Sequence, residues 1–242
     1  GKSLVPTDLG VATTGLMIEN CGSGGMRCDH ATLSHFFLQS SSDQEFYDRV
    51  PSIVQGLSAC IPPERIAVWP TPCAVLYDDM ARGEDPALHE ALRKRNESGW
   101  ETAVNMVSGM SCLMLLSGRI DLCDEKNAAL VAESVALYKK YRAARKNAVP
   151  VYPEGIAHMR DDGWSALGSL AEDTHTLLLS VWKLRTTESS RTLDLRKYIP
   201  AGAVLADVYP RLPGASAALS QGRLTLTLPA QENAAAWVAV TW

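Results

Sequence analysis

The side chains capable of chemistry concentrate in one string, IENCGSGGMRCDHATLSHFFLQSSSDQ, from Ile18 to Gln44. It joins a thiol, Cys21, to three glycines, Gly22, Gly24 and Gly25, a cation, Arg27, and two aspartates, Asp29 and Asp43. Glycine has no Cβ, so backbone at these positions can come close to a ligand. A phosphate cradle would use such a loop. The run is neither GxGxxG nor a Walker loop, however, and no Lys-Ser/Thr follows it. A tight structural turn would use the same glycines. Two aspartates beside a strand end suit acid–base work. Each also has an ordinary use: Asp29 can pair with Arg27 or hold the loop, and Asp43, following three serines, can cap a helix.

Several elements must position these groups. Thr14 to Ile18 (TGLMI) is a short apolar run feeding the turn NCGSGG, as a buried strand does. Ser42-Asp43-Gln44-Glu45 predicts a helix start, with Ser42 as N-cap and Glu45 completing a capping box. Ile66 to Trp69 predicts a second short strand, stopped by Pro70 and Pro72. Between Glu97 and Leu116, apolar residues recur at helical spacing around much of the circumference, so that helix should be buried. Asp124 to Arg145 predicts another helix, with Lys139, Lys140, Arg142 and Arg145 at the end where the dipole favours cations. Beyond Asn147 the pattern switches to period 2. Arg223 to Leu228 alternates strictly, and Leu177 to Trp182, Val204 to Tyr209 and Ala236 to Trp242 are further strands, separated by turn signals. The fold class is therefore α/β plus all-β, divided into residues 1–147 and 148–242. Strand–loop–helix alternation favours parallel architecture in the first part and an antiparallel sandwich in the second. A complete (β/α)8 barrel needs about 250 residues. The first part holds either a smaller α/β domain or about half a barrel.

The chain has 242 residues, 46% hydrophobic and 21% charged, with 23 basic against 27 acidic side chains and a formal charge of −4. That composition excludes a disordered chain. The acidic balance argues against nucleic acid as a partner, and no apolar run is long enough to span a membrane. The opening GKSLVPTDLG has no secretory pattern, which leaves the compartment unknown and favours the cytoplasm. Six scattered cysteines form no CxxC pair and read as reduced, mostly buried thiols. The histidines are too dispersed for a metal site. Trp69 and Trp100 suit either core packing or stacking on a sugar face, whereas Trp164, Trp182, Trp237 and Trp242 belong to the core of the β-rich part. Asn96-Glu97-Ser98 matches a glycosylation sequon by coincidence. Arg93-Lys94-Arg95 and His89 read as solvated.

Taken whole, IENCGSGGMRCD followed by SSSDQ resembles glycoside hydrolase family 36, the melibiase-type α-galactosidases and their relatives. There a Glu-Asn-Cys-x-Ser-Gly-Gly-x-Arg-x-Asp-like loop precedes a Thr-Ser-Asp motif by the same interval, here 43 − 29 = 14 residues. LSGRIDLCDEKNAALVAESVALYKKYR is similar to the family's last barrel segment, and DDGWSALGSL and LLLSVWKL to strands of its terminal β-domain. The resemblance implies the C-terminal half of a (β/α)8 barrel followed by an antiparallel β-sandwich, and retaining hydrolysis of terminal α-galactosides without cofactor or metal. It implies that Asp43 is the general acid/base and that Cys21 and Gly24 contact the sugar. Arg27 and Asp29 hold the loop first, with sugar contact as a further use. Retention also requires a nucleophilic carboxylate. The family carries it in a Lys-Trp-Asp-like strand upstream of the glycine loop, and VPTDLG, with Asp8, does not match. The isolated chain is therefore expected to be inactive, with its partner the upstream half of the same enzyme or another chain that completes the barrel. A non-catalytic carbohydrate-binding or structural relative and a galactosyl transferase are the alternatives. Uncovered apolar strand edges would favour homo-oligomers or low solubility.

Overall fold

The computed structural model describes residues 17–44, 46–72, 86–159 and 161–242. Most of the TGLMI run, Asp8, Glu45 of the capping box and Cys73 lie outside the described residues, as do the side chains of His89, Arg93 and Arg95.

The first part alternates strand and helix: β1 (Glu19–Asn20), α1 (His30–Leu33), β2 (Leu38–Ser40), α2 (Val50–Ser58), β3 (Ile66–Val68), α3 (Pro86–Arg95), α4 (Trp100–Ser111), β4 (Leu113–Met114) and α5 (Glu125–Tyr141). The four strands form one parallel sheet in sequence order. Residues that follow each strand therefore gather along one edge. The α4 helix is buried at every position, as its all-round apolar pattern requires. The α5 helix starts where Asp124 accepts a hydrogen bond from the Asn127 N–H at 2.7 Å.

Two expectations need correction. The predicted helix start at Ser42 is not a cap. Its Oγ instead accepts from the Gln44 N–H at 3.1 Å, forming a local turn. The helix begins at Val50, where Pro51 occupies the first turn. Arg145 does not join the surface cations at the end of α5. It is 4% exposed, with its guanidinium 5.2 Å from the Tyr138 ring, and burial pushes its pKa down.

The second part is antiparallel: β5 (Val149–Val151), β6 (Gly163–Ala171), β7 (Thr176–Leu184), β8 (Ser190–Asp194), β9 (Val204–Tyr209), β10 (Ser216–Ser220), β11 (Arg223–Thr227) and β12 (Ala234–Thr241). One sheet has the order β5-β6-β7-β12-β9, the other β10-β11-β8. Period 2 decides what packs where. Leu177, Leu179 and Val181 of β7 meet Leu193, Leu224 and Leu226 of the smaller sheet. Leu178 and Trp182 point the other way, into a core shared with Val104, Val107 and Met110 of α4. The Trp182 indole N–H donates to Ser108 Oγ at 3.1 Å, and Ser180 Oγ donates to the Val107 carbonyl at 3.2 Å. With both faces covered, β7 reads as a nearly continuous apolar run.

A polar tie reinforces this junction. Asp207 of β9 accepts from Tyr141 Oη at 2.5 Å and from Lys140 Nζ at 2.6 Å. Burial alone would raise the Asp207 carboxyl, but the hydrogen bonds from Lys140 and Tyr141 outweigh it and hold the pKa below the ordinary value. A depressed folded pKa contributes stability above the unfolded value, about 4, and loses it as pH falls through the folded one. Asp207→Asn is expected to cost about 1–3 kcal/mol at pH 7, the difference from wild type shrinking below about pH 4. Urea unfolding across that range measures it. A penalty constant from pH 7 to pH 3 would mean that the carboxylate charge is not what stabilises the tie.

Candidate functional site

The site is built on the edge where the parallel strands end. Asn20 closes β1, and its Nδ2 donates to Gln39 Oε1 at 2.5 Å and to the Arg27 carbonyl at 2.6 Å. Gln39 stands opposite Asn20 in the register, and its Nε2 donates to the Ser40 carbonyl at 2.9 Å. Both amides are buried, so each needs its partners. Together they lock the two ends of the glycine loop to the β1–β2 pair.

The loop then folds onto the segment after β2. A Cβ on Gly25 would lie 2.3 Å from the Ser41 carbonyl oxygen. One on Gly24, which has φ +67°, would lie 2.7 Å from the Asp43 nitrogen and 2.8 Å from Ser42 Cα. Only glycine permits that approach. Ser41 is itself fixed, its N–H donating to the Ala67 carbonyl at 2.9 Å. Trp69, just past β3, donates its indole N–H to Ser40 Oγ at 3.2 Å. Backbone contact thus brings residues 24–25 and 41–43 together across the ends of adjacent strands.

Each residue singled out in the sequence has a place here. Asp43 is exposed, and its carboxyl has no hydrogen-bond partner among the described residues. Cys21 is exposed and free. Gly24 is the contact just given. Arg27 is exposed, and its aliphatic chain lies close enough to Gly22 that a Cβ there would be 3.1 Å from Arg27 Cγ. Asp29 caps α1, accepting from the Thr32 N–H at 2.9 Å and from Thr32 Oγ1 at 2.7 Å. The backbone bond first, then the hydroxyl, holds its carboxyl below the usual range. Cys28 Sγ donates to the Gly25 carbonyl, and burial raises its pKa.

Other expectations change. Of the described thiols only Cys112 is fully buried, which pushes its pKa up to about 11, whereas Cys60 and Cys21 are exposed. Trp100 is core, while Trp69 is 38% exposed at the strand-end edge. Asn96 of the sequon is 1% exposed and its carbonyl accepts from Asn127, so no glycan could be attached in this fold.

Sequence reading missed the Asn20–Gln39 pair. It also missed Asp48, just before α2, whose Oδ2 lies 3.0 Å from Nη1 of Arg185. The signal available for the first was an amide at a strand end. For the second there was none, since the partners are 137 positions apart.

Comparison with known proteins supports the same architecture. No family model matches the sequence, and no curated protein matches it either. Solved structures do. The α-galactosidase AgaA from Geobacillus stearothermophilus, of glycoside hydrolase family 36, superposes with a TM-score of 0.69 at 14% identity over 98% of this chain and 30% of its own. The galactosidase domain of the α-galactosidase–sucrose kinase AgaSK gives 0.66 at 18% identity, over 97% and 30%. The α-galactosidase from Lactobacillus brevis gives 0.54 at 17%, over 98% and 30%. This chain spans under a third of those proteins. The resemblance carried by the glycine loop extends to the fold, as expected for the C-terminal portion of a family 36 enzyme.

Proposed function

We propose that this chain is the acid/base-bearing portion of a retaining glycoside hydrolase acting on terminal α-galactosides. The observation that carries the proposal is the contact of Gly24 and Gly25 with residues 41–43 at the ends of neighbouring parallel strands. It holds the backbone of Asp43 against the glycine loop, at the strand-end edge where the resemblance puts the sugar. The fold likeness to α-galactosidases, one of which was solved with raffinose, favours galactosides as the substrate class.

Protein chemistry at this edge then has two stages. Asp43, protonated, gives its proton to the leaving oxygen while a second carboxylate, about 5–5.5 Å away, attacks the anomeric carbon. Asp43, now ionised, takes a proton from the water that releases the sugar. In this reading the attacking carboxylate comes from the upstream half of the same enzyme, or from another chain that completes the barrel. Cys21 and Gly24 shape the galactose pocket, and Arg27 and Asp29 keep the loop in place.

The test is hydrolysis of raffinose and of an aryl α-galactoside by the 242-residue chain alone and joined to the upstream part of its gene. No turnover alone and turnover when joined is the expected pair. Robust hydrolysis by the 242 residues alone would refute a missing nucleophile. Inactivity of the joined protein on every α-galactoside would refute the substrate class.

A further inference from the structure

The segment between Asp43 and α2 is held from the other side by the antiparallel part of the chain. Within it, Gln44 Oε1 accepts from the Phe46 N–H at 3.0 Å, and the Arg49 N–H donates to the Phe46 carbonyl at 3.0 Å. These short-range bonds turn residues 46–49 and tie Phe46 to Gln44, the neighbour of Asp43. Asp48 is where the turn is anchored. Arg185, immediately after β7, donates from Nη1 to Asp48 Oδ2 at 3.0 Å and from Nε to Asp162 Oδ1 at 2.6 Å. Nη2 donates to the Asp161 carbonyl. The Arg185 backbone is itself constrained: its φ is +51°, and its N–H donates to Asn233 Oδ1 at 3.0 Å. With the Asp48 carbonyl also within 3.5 Å of Nη1, the fork of the guanidinium has four acceptors on two loops, a geometry that a lysine cannot reproduce.

Further contacts continue the anchorage down α2. Gln55 Nε2 donates to Ser165 Oγ at 3.1 Å, and Gln55 Oε1 accepts from the Ala157 N–H at 3.1 Å. Ser58 Oγ and Tyr152 Oη lie 2.9 Å apart. Polar links to the β-rich part therefore recur from Asp48 to the end of α2, with Arg185 the one nearest Asp43 in sequence.

We infer that Arg185 is a positioning residue for Asp43: by clamping Asp48 it fixes the turn that carries the acid/base, and so makes the β-rich part a determinant of the proton-transfer step. The inference rests on the glycosidase reading above. Its physical content is electrostatic as well as geometric. Without the guanidinium, Asp48 and Asp162 are like charges facing each other across one joint, and the turn relaxes away from the β-rich part. The ion pairs themselves are partly exposed, at 28% for Arg185 and 25% for Asp48, so their contribution to global stability is small.

Kinetics on the joined enzyme separate positioning from mere structure. A poor leaving group needs the acid, whereas a dinitrophenyl α-galactoside does not, and kcat/KM reports the glycosylation step for both. Arg185→Ala is expected to lower kcat/KM on raffinose about 10- to 100-fold while leaving the dinitrophenyl galactoside within about twofold. The thermal midpoint should move by no more than about 2–4 °C. Asp48→Asn, which leaves the other partners of Arg185 in place, should reproduce the split, and the double variant should add little to either. Equal losses on both substrates, or no loss on raffinose, would overturn the inference while leaving the glycosidase reading intact. If the unsubstituted joined enzyme hydrolyses neither substrate, the glycosidase reading falls and the inference falls with it.

Discussion

In the joined enzyme, Asp43→Asn is expected to lower kcat/KM on raffinose by about 10²–10⁴, the range a positioned general acid contributes. The argument starts from bond polarity. A sugar alkoxide is a poor leaving group, so C–O cleavage must be accompanied by protonation, and asparagine cannot supply the proton. A dinitrophenolate leaves without help, so kcat/KM for that substrate should hardly change. Its kcat should fall, because the second stage still needs Asp43 as base. Azide needs no base and should restore turnover by attacking the covalent intermediate, giving α-galactosyl azide with retained configuration. That product identifies the face on which residue 43 stands, because only removal of a carboxylate on that side opens it to an anion. Unchanged rates on raffinose, or azide rescue that gives the β-azide, would assign the role elsewhere.

Much of this arrangement was legible in the sequence, and the residues explain why. The strict alternation of RLTLTL needs only one buried face, and β11 follows it across Arg223–Thr227. The apolar periodicity of α4 survives because the helix is enclosed between sheets and α5. The glycine loop was legible because close backbone approach excludes every other residue type. What failed was local chemistry with two outcomes. Ser42 can cap a helix or close a turn on Gln44 with the same hydroxyl. The turn formed, and the stronger start signal was Pro51. Arg145 looked like a surface cation because its neighbours Lys139, Lys140 and Arg142 are charged, yet it turns inward beneath Tyr138. Pairs joined through tertiary structure, Asn20 with Gln39 and Asp48 with Arg185, left no periodic trace. Each residue is polar and unremarkable until the fold brings its partner within reach.

The second large effect concerns a residue with no side chain. Gly24→Ala is expected to lower kcat/KM on raffinose about 100-fold in the joined enzyme and to destabilise it by about 1–2 kcal/mol. Two causes add. Gly24 has φ +67°, a region where an L side chain meets its own backbone. The new Cβ would also lie 2.7 Å from the Asp43 nitrogen and 2.8 Å from Ser42 Cα, inside contact distance, with backbone rather than a flexible tip to move. Something must shift, and the anchors decide what. The glycine loop is tied by Asn20 to Gln39 and to the Arg27 carbonyl, and Ser41 is tied to Ala67. Residues 42 and 43, which carry the acid, lie between those ties and the Arg185 clamp on Asp48, and their backbone is what the new Cβ meets. The displacement therefore falls on proton transfer, and the loss on raffinose should exceed that on the dinitrophenyl galactoside. Gly56→Ala is the matched control. It lies inside α2, where a Cβ meets nothing within 4 Å, so it should stabilise by about 0.5–1 kcal/mol and leave both rates unchanged. A Gly24→Ala enzyme that keeps its raffinose rate within about twofold would show that this contact does not set the position of Asp43.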